Sequence, residues 1–423
     1  MSKKLLAIVF TAGAVCFACR LSAEDLTLAA DPLDPTRLLL TTSDNPYHDH
    51  DFAGTIGGGF VKALLPRSPR LPSRSGSGEV RDDASRVKVI FDTDMFTDID
   101  DAGALACLHA LADAGECEIL ATVSSCGAEA SVGAIEIINR YYGRPEIPVG
   151  APKNPPKLRL PKKCSLSAHP AGGGCNGFPG HDKYRKLLAD YPDWFRCADA
   201  ACAPDATEVY RRVLSAQSDR SVVVCTVGFM TNIRRLLESA PDAISPLDGK
   251  TLVARKVKRW VVMACQYPYG GEFNAKLDAE STRIALENWP GEVIFSDFRY
   301  GVDCFAGRAV AELKVKRNPV RDLFAQNMPS KDEIRRDRVK WFKAGYTLAG
   351  RSAWDESAVL LAVRGTQPYF NVERGTFRMV GDSGENEWEP DSENGRHLRI
   401  TERMPKAEVG RIIDELMVRR PLK

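Results

Sequence analysis

From residue 87 onward, short runs of β-branched and other apolar residues alternate with longer segments of helical period. Residues 87–91, 119–124, 147–149, 222–227, 260–263 and 293–295 read as strands. Residues 101–114, 130–142, 232–239 and 279–287 read as helices, with Gly115 and Gly143 placed to end the first two. Strands separated by helix-length segments cannot pair as hairpins. Each must cross over, which gives an α/β fold with an open, mostly parallel central sheet flanked by helices. Ligands of such sheets bind beyond the carboxyl ends of the strands, so the segment after the first strand is the place to look for chemistry.

That segment reads "FDTDMFTDIDDAGAL", with Asp92, Asp94, Asp98, Asp100 and Asp101 inside ten residues. Neighbouring carboxylates at about 4 Å repel by about 4 kcal/mol per pair at intermediate dielectric, and something must offset this. An EF-hand loop starting at Asp92 requires Gly at its sixth position and Glu at its twelfth; Thr97 and Gly103 stand there. The D-x-D turn of an aspartyl-phosphate phosphatase usually carries Thr or Val where Phe96 stands. An acidic helix N-terminus accounts for Asp100 and Asp101 but not for Asp92 and Asp94, which follow a buried strand. A hard cation held by oxygen ligands accounts for all of them.

D-x-D, a short loop, and D-D opening an apolar helix resembles the inosine–uridine nucleoside hydrolase family, whose commoner form is two residues shorter and lacks Asp98. Three further stretches fit in the family's order: "TVGFMTN" from Thr226, "GGEFNAKLDAES" from Gly270 and "WDESAVL" from Trp354. The resemblance covers about residues 86–365. It implies a nucleoside hydrolase-like domain and an enzyme that cleaves the N-glycosidic bond of ribonucleosides with a Ca2+-bound water.

Carried over residue by residue, the resemblance implies metal ligation by Asp94, Asp101 and Asp355 and by the carbonyl of Val227, or of Thr226 should the register slip by one. Asp94 is the implied base, and Asp100, Gln266, Glu272 and Asn274 the implied sugar contacts. Asp92 is expected to orient these groups, while Thr231 and Asn232 serve equally well as helix caps or ligand contacts. Many members place His directly before the late aspartate as acid for the leaving base; this chain has Trp354, to which a stacking role on a preferred purine is assigned. His169 and His181 lie in a loop and are candidate acids. The Asn expected after the second strand is absent, with Ser125 or Glu129 in its place. The alternative reading is a non-catalytic ribose- or nucleoside-binding protein that retains the metal site.

The remaining chain bounds this picture. A net charge of +2 over 423 residues gives no reason to expect nucleic acid as partner. The partner expected is a small nucleoside substrate, and a homo-oligomer is compatible with the sequence. Lys3-Lys4 followed by an apolar run to Ala18 reads as a signal peptide within residues 1–23, so the protein is expected to be exported, periplasmic or secreted; Cys19 is a poor lipidation site. Residues 24–85 read as a disordered linker, with His48 and His50 in a solvated stretch. Cys107, Cys117, Cys225 and Cys265 read as core thiols, while Cys164 with Cys175 and Cys197 with Cys202 can form disulfides after export. Residues 151–182 form a long Pro/Gly-rich loop of the lid or binding type. Residues 366–423 read as a small C-terminal β/α appendage packed on the domain.

Overall fold

The computed structural model describes residues 26–31, 34–42, 86–154 and 181–422. His48, His50, Cys164, Cys175, His169 and the expected signal segment lie outside the described residues. The chain divides into two compact units, Met1–Asp82 and Asp83–Lys423. In the first, Leu26–Asp31 pairs antiparallel with Asp34–Thr42.

The second unit is built on a ten-stranded sheet. Its strands are β1 (Val87–Thr93), β2 (Cys117–Ser124), β3 (Val149–Gly150), β4 (Val222–Thr226), β5 (Val257–Val262), β6 (Tyr269–Gly270), β7 (Val293–Phe295), β8 (Phe370–Val380), β9 (Glu385–Pro390) and β10 (His397–Glu402). They lie in the order β3-β2-β1-β4-β5-β7-β10-β8-β9-β6. From β3 to β10 every pairing is parallel; the last three are antiparallel. The alternation read in the sequence is thus a parallel sheet, and β1 runs inside it between β2 and β4 with Val89, Ile90 and Phe91 wholly buried, as a strand covered on both faces requires.

The segment read as an appendage is part of this sheet. β10 pairs parallel with β7, and β8 and β9 extend it to the edge. Helix α1 (Asp100–Asp113) follows β1, and α2 (Phe273–Leu277), α3 (Trp354–Arg364) and α4 (Lys406–Met417) come later. A separate antiparallel sheet orders Phe305–Gly307, Gly350–Ser352 and Tyr346–Thr347. Cys197 and Cys202 form a disulfide, and Cys107, Cys117, Cys225 and Cys265 are buried free thiols. No helix among the described residues is long and apolar enough to cross a membrane.

Helix α1 is buried from Asp100 to Leu111 and packs against α3 and α4. Gly103 permits that approach: a Cβ there would stand 2.3 Å from Glu356 Oε1 and 2.9 Å from Met417 Cε. The first turns of α1 and α3 are thereby brought side by side, with Asp100 and Asp101 on one and Asp355 and Glu356 on the other. Gly103→Ala is expected to destabilise the fold by roughly 1–3 kcal/mol, the usual range for overpacking. The shift in urea midpoint against the wild-type chain checks it.

Candidate active site

β1, β2 and β4 end together. Their ladders run on past the strands, Ser125 N donating to Thr93 O at 2.8 Å and Val227 N to Asp92 O at 2.7 Å. Between β1 and α1 the chain makes a loop, 94–99, against which β4's exit packs closely. A Cβ on Gly228 would lie 2.4 Å from Asp94 N and 2.5 Å from Ser125 Oγ, so only glycine fits there.

The site is a set of buried carboxylates. Asp92, Asp94, Asp100, Asp101, Asp355 and Glu356 are each between 0% and 4% exposed. One oxygen from each of Asp100, Asp101 and Asp355 lies within 4.8 Å of the others. Asp94 is adjacent, its charge bearing on both Asp101 and Asp355. Asp94 Oδ2 and Glu356 Oε2 are buried without a hydrogen-bond partner among the described residues. With no cation, burial and then like charge push these acids upward: Asp94 to about 8, with Asp98 and Glu272 contributing, and Asp100, Asp101 and Asp355 well above the ordinary carboxylate value. Orphaned buried oxygens among converging hard donors fit a divalent cation, which reverses this electrostatic logic.

The residues named from the sequence fall into place unevenly. The Val227 carbonyl, an implied ligand, accepts from Asn274 Nδ2 at 2.9 Å; with two lone pairs it keeps one free. Asn274 Nδ2 also donates to Met263 O at 3.1 Å, so its amide nitrogen braces the site. Glu272 caps α2, accepting from the backbone N–H groups of Asn274, Ala275 and Cys265 at 2.9, 3.0 and 3.1 Å, and burial pushes it to about 7. Gln266 is held by a partner far along the chain: Asn386 accepts from its N–H at 2.9 Å and donates to its carbonyl at 2.8 Å. β9 thereby fixes the loop that carries Gln266 and Glu272.

Asp92 orients its surroundings. Tyr210 Oη donates to it at 2.8 Å and Asn232 Nδ2 at 3.2 Å, and Asn232 Nδ2 also reaches Ser124 O at 2.9 Å. Neither Thr231 nor Asn232 caps the following helix; Thr231 Oγ1 donates to Asp278. Ser125 Oγ accepts from Phe229 N at 3.0 Å, and Glu129 pairs with Arg185. Trp354 is half-buried, donates from Nε1 to Phe298 O at 3.2 Å and stacks on Phe298 with centroids 5.5 Å apart. His181 begins a helix ending at Asp190.

Four contributors were not foreseen: Arg351, Glu356, Tyr210 and Asn386. Only Glu356 carries a sequence signal, its place beside Asp355 at a helix start. Arg351 ion-pairs with Asp98; although burial works against it, this guanidinium holds the Asp98 carboxyl well below the usual range.

A family model described as inosine-uridine preferring nucleoside hydrolase matches residues 89–415. Among curated proteins no sequence matches the chain. Among solved structures, the chain is similar to a purine-preferring ribonucleoside hydrolase from Gardnerella vaginalis, at 15% identity and TM-score 0.55, covering 78% of this chain and 98% of that one. It is similar to an inosine-uridine preferring nucleoside hydrolase from Bacillus anthracis at 14% and 0.51, covering 78% and 99%. It is also similar to the type III effector protein XopQ complexed with adenosine diphosphate ribose, at 13% and 0.53, covering 80% and 94%. At these identities the likeness shows the fold.

The raised carboxylates set a pH dependence. Asp94 at about 8 in the folded chain against 3.8 ordinarily means that the cation-free fold binds protons the unfolded chain has released. That contribution is fully present below the ordinary value and is lost as pH rises through the folded one. A cation bound there would replace those protons. A divalent cation is therefore expected to raise Tm, and by more at pH 8 than at pH 5; thermal melts with and without chelator at both pH values check this.

Proposed function

The chain belongs to the inosine-uridine preferring nucleoside hydrolase family, a metal-dependent family of N-glycosidic bond hydrolases, and from that premise we propose that it is an exported ribonucleoside hydrolase that prefers purines and uses Ca2+. The observation that carries the reading is the convergence of Asp100, Asp101 and Asp355 beside Asp94 at the carboxyl end of the parallel sheet. An all-oxygen donor set suits calcium, which Asp94, Asp101, Asp355 and the Val227 carbonyl would hold. When bound, the cation offsets the carboxylate repulsion and acidifies water for attack on the anomeric carbon.

The protein's own groups do the rest. Asp94 Oδ2 has no hydrogen-bond partner among the described residues, and that atom accepts the proton of the attacking water. Asp100 contacts the sugar hydroxyls, and Glu272, preset by three backbone donors, grips the ribose with Gln266 and the oxygen of Asn274. As the C–N bond breaks, positive charge grows on the sugar, the surrounding carboxylates stabilise it, and the departing base takes its proton from solvent. Trp354, fixed by Phe298, forms the wall on which the base stacks.

Export is supported by Lys3-Lys4 and the apolar run to Ala18 and by the Cys197–Cys202 disulfide, a bond that persists in oxidising compartments. The second reading, a ribose-binding protein without turnover, is favoured by Trp354 standing where an acid is usual and by a similar effector's complex with adenosine diphosphate ribose. Release of free base from a nucleoside panel, dependent on Ca2+, supports hydrolysis; ribose binding with no product from any nucleoside supports the second reading.

Asp94→Asn is expected to lower kcat by orders of magnitude with a near-normal melt, since an amide cannot accept the proton. Turnover at the wild-type rate overturns that role. Trp354→Ala is expected to lose roughly 1–3 kcal/mol of transition-state binding on inosine, the worth of base stacking, and less on a nitrophenyl riboside, whose leaving group departs unaided. Equal losses on the two substrates make Trp354 a packing residue only.

A further inference from the structure

Arg351 belongs to none of the stretches that carry the family resemblance, yet it reaches the centre of the site. It lies on the short strand Gly350–Ser352 and is 8% exposed. Its Nη2 donates to Asp98 Oδ2. Its Nε stands 3.9 Å from Asp100 Oδ1 and has no hydrogen-bond partner among the described residues. The guanidinium carbon lies 5.3 Å from the ring centroid of Tyr346 and 5.4 Å from that of Trp354, so aromatic faces as well as the ion pair restrict its orientation.

Asp98 passes that restraint to the helix. Its Oδ1 accepts from the backbone N–H groups of Ile99 and, at 3.1 Å, Asp100, the residues where α1 starts. Its carbonyl accepts from Tyr184 Oη at 2.7 Å. The loop that Asp98 anchors contains Phe96 at φ 115°. A bulky residue holds that left-handed conformation only where its surroundings impose it.

We infer that Arg351 is a positioning residue of the hydrolytic site: acting through Asp98, it fixes where α1 begins and so where the Asp100 and Asp101 carboxylates point. The inference rests on the cation-dependent reading of the site given above. It is distinct from simple charge balance, and the two differ in sign. A guanidinium acting only as a charge repels an incoming cation, so its removal tightens cation binding. A guanidinium that sets carboxylate geometry strengthens cation binding, so its removal weakens it.

The test uses the full chain and the variants R351Q, R351K, D98N and the double variant D98N/R351Q. Calcium affinity is read by calorimetry without substrate, kcat and KM on a nucleoside, and the melt in chelator. Loss of a group that orients metal ligands typically costs roughly 10–100-fold in affinity or activity. That loss is expected in calcium affinity for R351Q, for R351K, which keeps the charge but not the planar fork, and for D98N. The fall in turnover is expected in kcat more than in KM, with the double variant no worse than the weaker single one, because the two residues act as one unit. Calcium binding by R351Q as tight as or tighter than wild type, or R351K matching wild type, overturns the inference. Should R351Q fail to fold, R351K and D98N decide on the same readings. Calcium binding by the wild type with no turnover on any nucleoside counts against the functional reading alone, and the calorimetry still decides Arg351.

Discussion

Repulsion among buried carboxylates is the constraint on which the site depends. Two helices, α1 and α3, begin side by side with acidic pairs in their first turns, and Asp94 joins them from the end of β1. Helix N-termini favour negative charge, but by only about 0.3–1 kcal/mol per group. One like-charge pair at close range costs about 4 kcal/mol at intermediate dielectric. The dipoles therefore cannot hold this arrangement ionised. Without a cation, protonation relieves the repulsion, and burial with like charge therefore raises these acids above the ordinary carboxylate value; on the proposed reading a bound cation relieves it instead.

The scaffold explains how so costly an arrangement is kept in place. Parallel strands deliver three loop starts to one end of the sheet, and their ladders continue into those loops through Ser125 and Val227. Glycine at 103 and 228 removes the side chains that would separate the elements. The C-terminal strands contribute more than sheet area, since Asn386 grips both backbone groups of Gln266 and Arg399 lies 3.7 Å from the ring centroid of Tyr267. A segment that resembles an appendage in sequence thus holds the loop assigned to the sugar.

Legibility in the sequence followed locality. The strand and helix alternation is written in short-range periodicity, and the observed elements fall close to those read: the helix expected at 101–114 is Asp100–Asp113, and the strand expected at 293–295 is Val293–Phe295. The aspartate cluster was visible because one turn carries most of it. Arg351 was not, because it meets Asp98 from 253 residues away, and nothing near "GRSAWD" marks an arginine that will be buried. Asn386 was hidden for the same reason. Glu272 and Asn274 were located by their motif, but their backbone hydrogen bonds appear only once α2 and the ends of β4 and β5 are folded together.

On the proposed reading, the site is asymmetric. Its titratable groups gather at the sugar end: Asp94, Asp100, Asp101, Asp355 and Glu272 are all buried there. At the base end, the residue beside Asp355 is an indole whose nitrogen is spent on Phe298 O. A tryptophan can hold a base by its π-face but cannot give it a proton. Bond cleavage must then draw on the sugar end, where buried carboxylates stabilise the growing positive charge in a low dielectric. Such a site discriminates strongly for the ribose, whose hydroxyls meet fixed polar groups that would be left unpaired by a poorer sugar. It discriminates more weakly among bases, which it reads by stacking area. The placement of charge, more than any single residue, makes this a site for a ribosyl group first and a particular base second.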